Sequence, residues 1–395
     1  MARAWNVVIV GGGVIGGAVA YFLAADPNFS GSVLVVEKDP TYEFASCARS
    51  NGSIRQQFSL PENIRMCLFG LRFFREAAER LSLPDEPFAL PFTERGYLFL
   101  LAPSRMDVAA RNNALQTFLG AEVEVVAADA LAQRFPWLDV AGLAAGSLSI
   151  RGEGWIDPNT LVQGYRRKAR SLGVTYLEDE VVGVARTGGR IMGVRLRDGG
   201  EVAAGAVVNA AGYHAGAVAA MAGLALDVEP RKRIVYVFDC RDGPGPMPQT
   251  FDTNGVYVRY EGDGYICGTS PPLDRDDPCW DFEVEYELFE EVVWPTLARR
   301  IPAFEAIKLR NAWACHYDYH PLDENAVIGP HPEVGNFYFA NGFSGHGVQQ
   351  SPAAGRAIAE LLTHGEYRAL DLSRLGYART LSREPLREEE VVEAF

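Results

Sequence analysis

Apolar positions along this chain switch between strand-like and helix-like periods. Residues 6–10 and 32–37 are short β-branched runs, and residues 14–25 between them are small and apolar at helical spacing. They predict a strand–helix–strand unit of about 30 residues. Residues 61–81 predict a helix, with Ile64, Leu68, Leu71, Phe74 and Ala78 on one stripe and Pro61 in its first turn. Residues 84–100 turn strand-like. Helices are predicted at 107–118, 127–135 and 159–172, and strands at 174–177, 191–196 and 206–209. Residues 234–239 and 256–267 alternate as half-buried strands do, with Gly262, Asp263 and Gly264 as a hairpin turn. Residues 284–300 predict a helix that Pro295 kinks or interrupts. A strand at 337–340 leads to a helix at 352–362, with Ser351 as its N-cap. The last thirty residues are charged and predict a surface tail.

The 395 residues are too many for one small core and suggest two domains, or one large domain with insertions. Apolar residues make up 48% and charged residues 22%, a globular balance. A net charge of −14 repels phosphate backbones and argues against nucleic acid as a partner. The basic triplets Arg231-Lys232-Arg233 and Arg166-Arg167-Lys168 read as solvated edges. Six scattered cysteines, with no C-x-x-C pair, fit reduced thiols. The apolar stretch 202–226 holds internal glycines, Asn209 and His214, and reads as a buried strand, turn and helix rather than a membrane span. With no leader before the first strand, a cytoplasmic protein is the expectation.

Glycine-rich turns mark two strand-to-helix junctions. In "VVIVGGGVIGGAVAYFLA", Gly11, Gly13 and Gly16 follow one predicted strand and open a predicted helix. The first permits a tight turn, the second lets the backbone approach a pyrophosphate, and the third allows close helix–strand packing. The helix start offers free N–H groups to phosphates. Glu37 ends the next strand 21 residues after Gly16, close to the roughly 20 expected for an acid on ribose hydroxyls. That acid disfavours a 2′-phosphate, which sets NADP aside and leaves NAD and FAD. "AVVNAAGYHA" predicts a strand running into a tight packing site beside this turn. "FANGFSGHGVQQSP" is a second glycine-rich turn near the other end of the chain. A nicotinamide cofactor needs one such turn. FAD is longer, and its isoalloxazine ring needs support far from the adenosine.

Across these motifs, together with "CARSNGSIRQQFSLPENI", "AWACHYDYHPLDENAVIGPHP" and "NGFSGHGVQQSPAAGRAIAELL", nearly the whole chain resembles the D-amino-acid oxidase/sarcosine oxidase (DAO) superfamily of FAD enzymes. The likeness is greatest to its branch of mitochondrial FAD-dependent oxidoreductase-domain proteins tied to complex I assembly. The resemblance implies an α/β fold: a Rossmann-like FAD-binding domain, discontinuous over 1–82, 145–222 and 325–395, and a β-rich substrate domain of the D-amino-acid oxidase type over 83–144 and 223–324. It implies an oxidoreductase that moves hydride from the carbon beside the nitrogen of an amine or amino acid to flavin N5, with secondary, tertiary or N-methyl amines favoured. A flavoprotein with an assembly or chaperone role is the alternative.

The resemblance also implies site residues. FAD would meet Gly11, Gly13, Val14, Ile15 and Gly16 in the first turn, and Glu37 and Lys38 after the second strand. Arg49, Ser50, Asn51 and Gly52, then Val181, Ala210, Ala211 and Gly212, would add to the set. Gly342, Phe343, Ser344, Gly345, His346 and Gly347 would support the ring. Cys315 matches the cysteine that sarcosine oxidase joins to FAD by a thioether, so covalent and non-covalent attachment both stand open. On the substrate side, Arg55 would clamp a carboxylate as a bidentate fork, Tyr257 and Tyr317 would wall the pocket, and His346 would lie beside the flavin. Gln349 stands where sarcosine oxidase adds a lysine to the clamp. A neutral amide holds a carboxylate less tightly, which argues against sarcosine itself. Ile266 stands at the oxygen-activating lysine, so the reading leans to a dehydrogenase that passes electrons to a quinone or an electron-transfer protein. No metal is expected, because His316 and His320 would share a face only on a helix.

Overall fold

The computed structural model describes residues 4–392. The opening unit forms as its pattern predicts: β1 (Ala4–Val10), α1 (Val14–Ala25) and β2 (Val33–Glu37). β1 pairs in parallel with β2 on one side and with the strand Glu201–Asn209 on the other. Thr175–Glu178 continues the sheet past β2, and Phe337–Asn341 joins Glu201–Asn209, both in parallel. Strand order therefore reverses at β1, and a crevice opens at the carboxyl ends of these strands, where open α/β sheets take ligands.

Both faces of this sheet are covered, as parallel strands require. Ile9, Val35 and Val208 meet α1 and the helix Gly347–His364, while Val8, Val36 and Val207 meet the helix Ala215–Met221. The crossing of α1 with the 347–364 helix is tight because Gly355 lies on Ala18. A Cβ at Gly355 would stand 2.6 Å from the Ala18 Cβ and 2.7 Å from its carbonyl carbon.

A second sheet of eight strands runs from Lys308–Tyr319 through Glu229–Asp239, Gly264–Gly268, Tyr257–Glu261 and Gln249–Phe251 to Tyr97–Leu101, Ala145–Ser149 and Glu124–Ala127. Ile234, Tyr236, Phe238 and Val258 on its apolar face are covered by Phe289, Leu297 and Phe304. Ala145–Ser149 pairs inside this sheet, so the expected boundary at 145 falls within the second unit rather than at the return to the first.

Several local expectations are corrected. The late helix begins at Gly347, not at residue 352, and Ser351 does not cap it. The Gln350 N–H already donates to the His346 carbonyl at 3.2 Å. Pro352 has no N–H for the Val348 carbonyl, and the Ser351 hydroxyl donates there instead, at 2.9 Å. Proline is thus accommodated inside the helix without an orphaned acceptor. The 61–81 helix divides at Glu76 into α2 (Pro61–Arg75) and a short helix Ala77–Leu81. The break rotates the second piece, so Ala77 is buried and Ala78 exposed. Pro295 follows a π-helical turn, Phe289–Val293, which absorbs its missing donor. Arg233 is no solvated edge: it is buried, and its guanidinium donates to both Asp276 carboxylate oxygens at 2.7 and 2.9 Å. Nor is the end of the chain a simple surface tail. Leu372, Leu375 and Tyr377 are buried, and Arg379 Nε donates to Asp323 Oδ2 at 2.9 Å. Among the described residues, no helix is long and apolar enough to cross a membrane.

Gly355→Ala should destabilise the protein by about 1–3 kcal/mol, because the added methyl meets backbone rather than a yielding side chain. At an open helical position the same change would stabilise by roughly 0.5–1 kcal/mol. Chemical denaturation decides: a midpoint equal to or above that of the parent would show that the crossing is not close-packed.

Candidate functional site

Both glycine turns open onto one cavity of about 550 Å³, within the size range of small-molecule sites. Gly11, Gly13, Val14 and Ile15 line it from the first turn, and Phe343, Gly345, Gly347 and Val348 from the second. The backbone explains the glycines. Gly11 has φ +94°, and a Cβ there would run into the Ala210 carbonyl. Gly345 has φ +95° and lies against the Tyr317 ring. α1 and the 347–364 helix both start at this wall, so their free N–H groups and partial positive charges converge on one space.

Glu37 reaches the cavity from the end of β2. The Gly12 N–H donates to its Oε2 at 2.7 Å and the Asp39 N–H to its Oε1 at 2.8 Å. Burial pushes this carboxyl above its ordinary range, and the two N–H donors pull it back. Each oxygen keeps a further lone pair for a ligand hydroxyl. Lys38 Nζ lies 2.8 Å from His214 Nε2, and burial together with Lys38 holds the His214 ring down to about 4. Tyr42 and Ser46 also line the cavity, and their buried hydroxyls have no protein partner. Buried hydroxyls left unpaired are costly, so these two mark where a ligand supplies the missing bonds. Converging helix starts, an acid with free lone pairs and orphaned hydroxyls fit FAD: residues 11–14 would take its phosphates and Glu37 its ribose.

Ser50, Val181, Ala210, Ala211, Gly212 and Cys315 line the same cavity. Gly16, Arg49, Asn51, Gly52 and Gly342 do not line it and act on the loops around it. Gly16 packs on the Gly11 backbone, and Gly52 faces the Ile156 carbonyl at φ +68°. Asn51 accepts from the Ser53 hydroxyl at 2.8 Å, and Gly342 lies against His320 and Val228. Arg49 donates to the carbonyls of Glu43 and Ala314 at 2.7 and 3.0 Å, with its guanidinium over the rings of Phe44 and Phe282.

A smaller cavity of about 190 Å³ adjoins, lined by Arg55, Phe58, Phe99, Phe251, Ser344 and His346 among others. Tyr317 lines both cavities. Arg55 Nη2 donates to His346 Nε2 at 3.1 Å. Arginine cannot accept, so this nitrogen carries a lone pair and the proton sits on Nδ1. Burial and the Arg55 charge hold the His346 pKa down to about 3, so the ring is neutral at pH 7. The Arg55 guanidinium lies 4.0 Å over the Phe58 ring. Ser344 and His346 thus face the smaller cavity rather than the larger. Gln349 lines neither: its Oε1 accepts the Arg55 backbone N–H at 2.7 Å and fixes that loop from behind. Tyr257 is also behind the wall, its ring 5.4 Å from Phe251. Ile266 is buried in the second sheet and lines neither cavity. His320 Nδ1 lies 2.9 Å from both Asp323 Oδ1 and the Asn325 carbonyl.

Residues the sequence did not single out complete the site. Asp318 is buried on the larger cavity, and its Oδ2 accepts the Phe343 N–H at 3.1 Å. Burial pushes its carboxyl up to about 6, while the Phe343 N–H pulls it down. Glu153 is fully buried, and its Oε2 accepts from the Gln57 side-chain amide Nε2 at 2.8 Å; the Gln57 backbone carbonyl in turn accepts from Arg55 Nη1. Burial raises Glu153 to about 7. Tyr42 and Ser46 carried one signal, their place directly after a nucleotide-binding strand. Asp318 and Glu153 carried none, since only tertiary contacts give them a role.

The family described as FAD dependent oxidoreductase, DAO, matches residues 6–361. FAD-dependent oxidoreductase domain-containing protein 1 of Xenopus laevis is 42% identical over 422 residues, covering 98% of this chain and 85% of that protein. Sarcosine oxidase subunit beta of Rhizobium meliloti (strain 1021) is 27% identical over 372 residues, covering 91% of this chain and 85% of that one. Among solved structures, L-proline dehydrogenase from P. horikoshii superposes with a TM-score of 0.86 at 27% identity, covering 98% of this chain and 100% of its own. With two glycine turns meeting at one long cavity and these relatives matching nearly end to end, the chain belongs to the DAO family of FAD-dependent oxidoreductases, and FAD is its cofactor.

Proposed function

We propose that this oxidoreductase acts on a secondary or tertiary amino acid bound in the smaller cavity and passes the electrons onward as a dehydrogenase. The observation that carries this reading is Tyr317: it is a wall of the FAD cavity and of the Arg55–His346 cavity at once. A molecule held at Arg55 therefore lies next to the part of the FAD cavity built by the second glycine turn. FAD supplies the two-electron acceptor when bound.

The chain's residues bind and orient. Arg55 offers its charge to a carboxylate, with His346, the Gln57 carbonyl and Gln349 fixing its position. Phe58, Phe99 and Phe251 add apolar surface beside Arg55 to a lining that also holds Asn112, Gln116, Thr269 and Glu324, and that apolar surface strengthens the charge interaction. His346, neutral at pH 7, adds no second positive charge beside Arg55. Among the described residues, the one lysine lining either cavity is Lys38, beside Glu37. No ammonium group stands at the second turn to stabilise reduced oxygen, which supports a dehydrogenase. The L-proline dehydrogenase and sarcosine oxidase relatives support an amine donor with a carboxylate.

Anaerobic titration with a panel of N-methyl and cyclic amino acids should bleach the flavin with at least one of them, and a quinone should reoxidise it faster than air. Bleaching by none would favour an assembly role. Arg55→Met should lower kcat/KM for the responding substrate about 100-fold, near 3 kcal/mol for a lost charge-assisted pair. An unchanged ratio would remove Arg55 from carboxylate binding.

Burial pushes the Cys315 thiol up to about 11, with Arg233 and Arg49 pulling it down. It is therefore protonated at pH 7 and a poor nucleophile. Acid precipitation should release FAD into the supernatant. A yellow pellet that Cys315→Ser turns colourless would instead establish a thioether.

A further inference from the structure

One wall of the smaller cavity comes from residues 388–392, more than thirty positions beyond any other residue that lines it. This segment is tied down on both sides of one acid. The Leu60 N–H and Asn63 Nδ2 donate to the two Glu388 carboxylate oxygens at 3.0 and 2.6 Å, and Glu388 thereby caps the start of α2, which has no side-chain cap of its own. Glu389 pairs with Arg111 at 2.7 Å, and its carbonyl accepts from Asn112 Nδ2 at 2.8 Å. Val391 packs on the apolar cluster of Leu101, Ala109 and Ala145.

Glu390 lies between these anchors and lines the cavity with Arg55. The residue as a whole is exposed, yet burial is the largest influence on its carboxyl and raises it. Arg55 draws it down most strongly, Arg105 less so, and Glu324 and Glu388 push it up. Its neighbours Glu388 and Glu389 have partners for their carboxylates, while Glu390 shares the lining of this one cavity with Arg55.

We propose that Glu390 is the resident counter-ion of Arg55, and that a substrate carboxylate binds by exchanging with it. A cation lining a partly apolar pocket is stabilised by a carboxylate nearby, and an incoming carboxylate preserves that balance while a neutral amine does not. The segment then sets specificity as well as affinity. Substrates carrying one carboxylate are admitted by exchange, and a second negative charge meets Glu324 and Glu388. This rests on the reading of Arg55 as the carboxylate clamp.

The test uses the FAD-loaded enzyme titrated with sodium acetate at constant ionic strength. Binding is followed calorimetrically, and hydrogen exchange is read at residues 386–392. Acetate should raise exchange there as Glu390 is displaced. Glu390→Gln should tighten acetate about fivefold, the scale of a partly exposed charge pair. Glu384→Gln, an equal loss of charge outside the cavity, should move the dissociation constant less than twofold. If acetate binds the parent and Glu390→Gln alike while Arg55→Met abolishes binding, the counter-ion proposal is overturned and the clamp stands. Acetate binding that ignores Arg55→Met, or no binding at all, would bring down the clamp and the proposal with it.

Discussion

The close crossing of α1 and the 347–364 helix is the contact on which the rest of the site depends. With Gly355 seated on Ala18, the two helices run so near one another that their first turns open at the same wall. Each start brings unpaired N–H groups and a partial positive charge. Bringing two such ends together is unfavourable unless an electron-rich partner lies between them. The paired helix starts therefore favour a ligand that carries or can accept negative charge.

Several polar groups around the cavities are held in place by bonds within the protein. Glu37 is committed on both oxygens to backbone donors, Arg55 to His346 and the Gln57 carbonyl, and Gln349 to the Arg55 backbone. Preorganisation of this kind removes the cost of reorienting dipoles when a ligand arrives. It also accounts for Gln349, which lines neither cavity. Its amide is an acceptor where a lysine has none, so it holds a loop instead of a substrate.

The sequence was most informative where a local rule has few alternatives. The Gly11–Gly16 turn, Glu37 and the alternation through the 256–267 hairpin read directly, because each needs a particular residue at a particular spacing. It was least informative where a tertiary contact decides. Ser351 and Pro352 look like a helix start, yet the Ser351 hydroxyl repairs the ladder and lets the helix begin at Gly347. Arg233 looks solvated in its triplet, and only Asp276, far along the chain, makes it a buried pair. The family motif pointed to His346 both on the substrate side with Arg55 and beside the cofactor, and it lines the cavity of Arg55. Nothing local could distinguish the charged end of the chain from a tail, since the groups that anchor it lie in α2 and beyond.

The first sheet takes its outermost parallel strand, Phe337–Asn341, and the helix after it from the far end of the polypeptide. The larger cavity therefore exists only once two turns more than 300 residues apart have been brought together, so its ligand is recognised by the assembled fold and by neither segment alone.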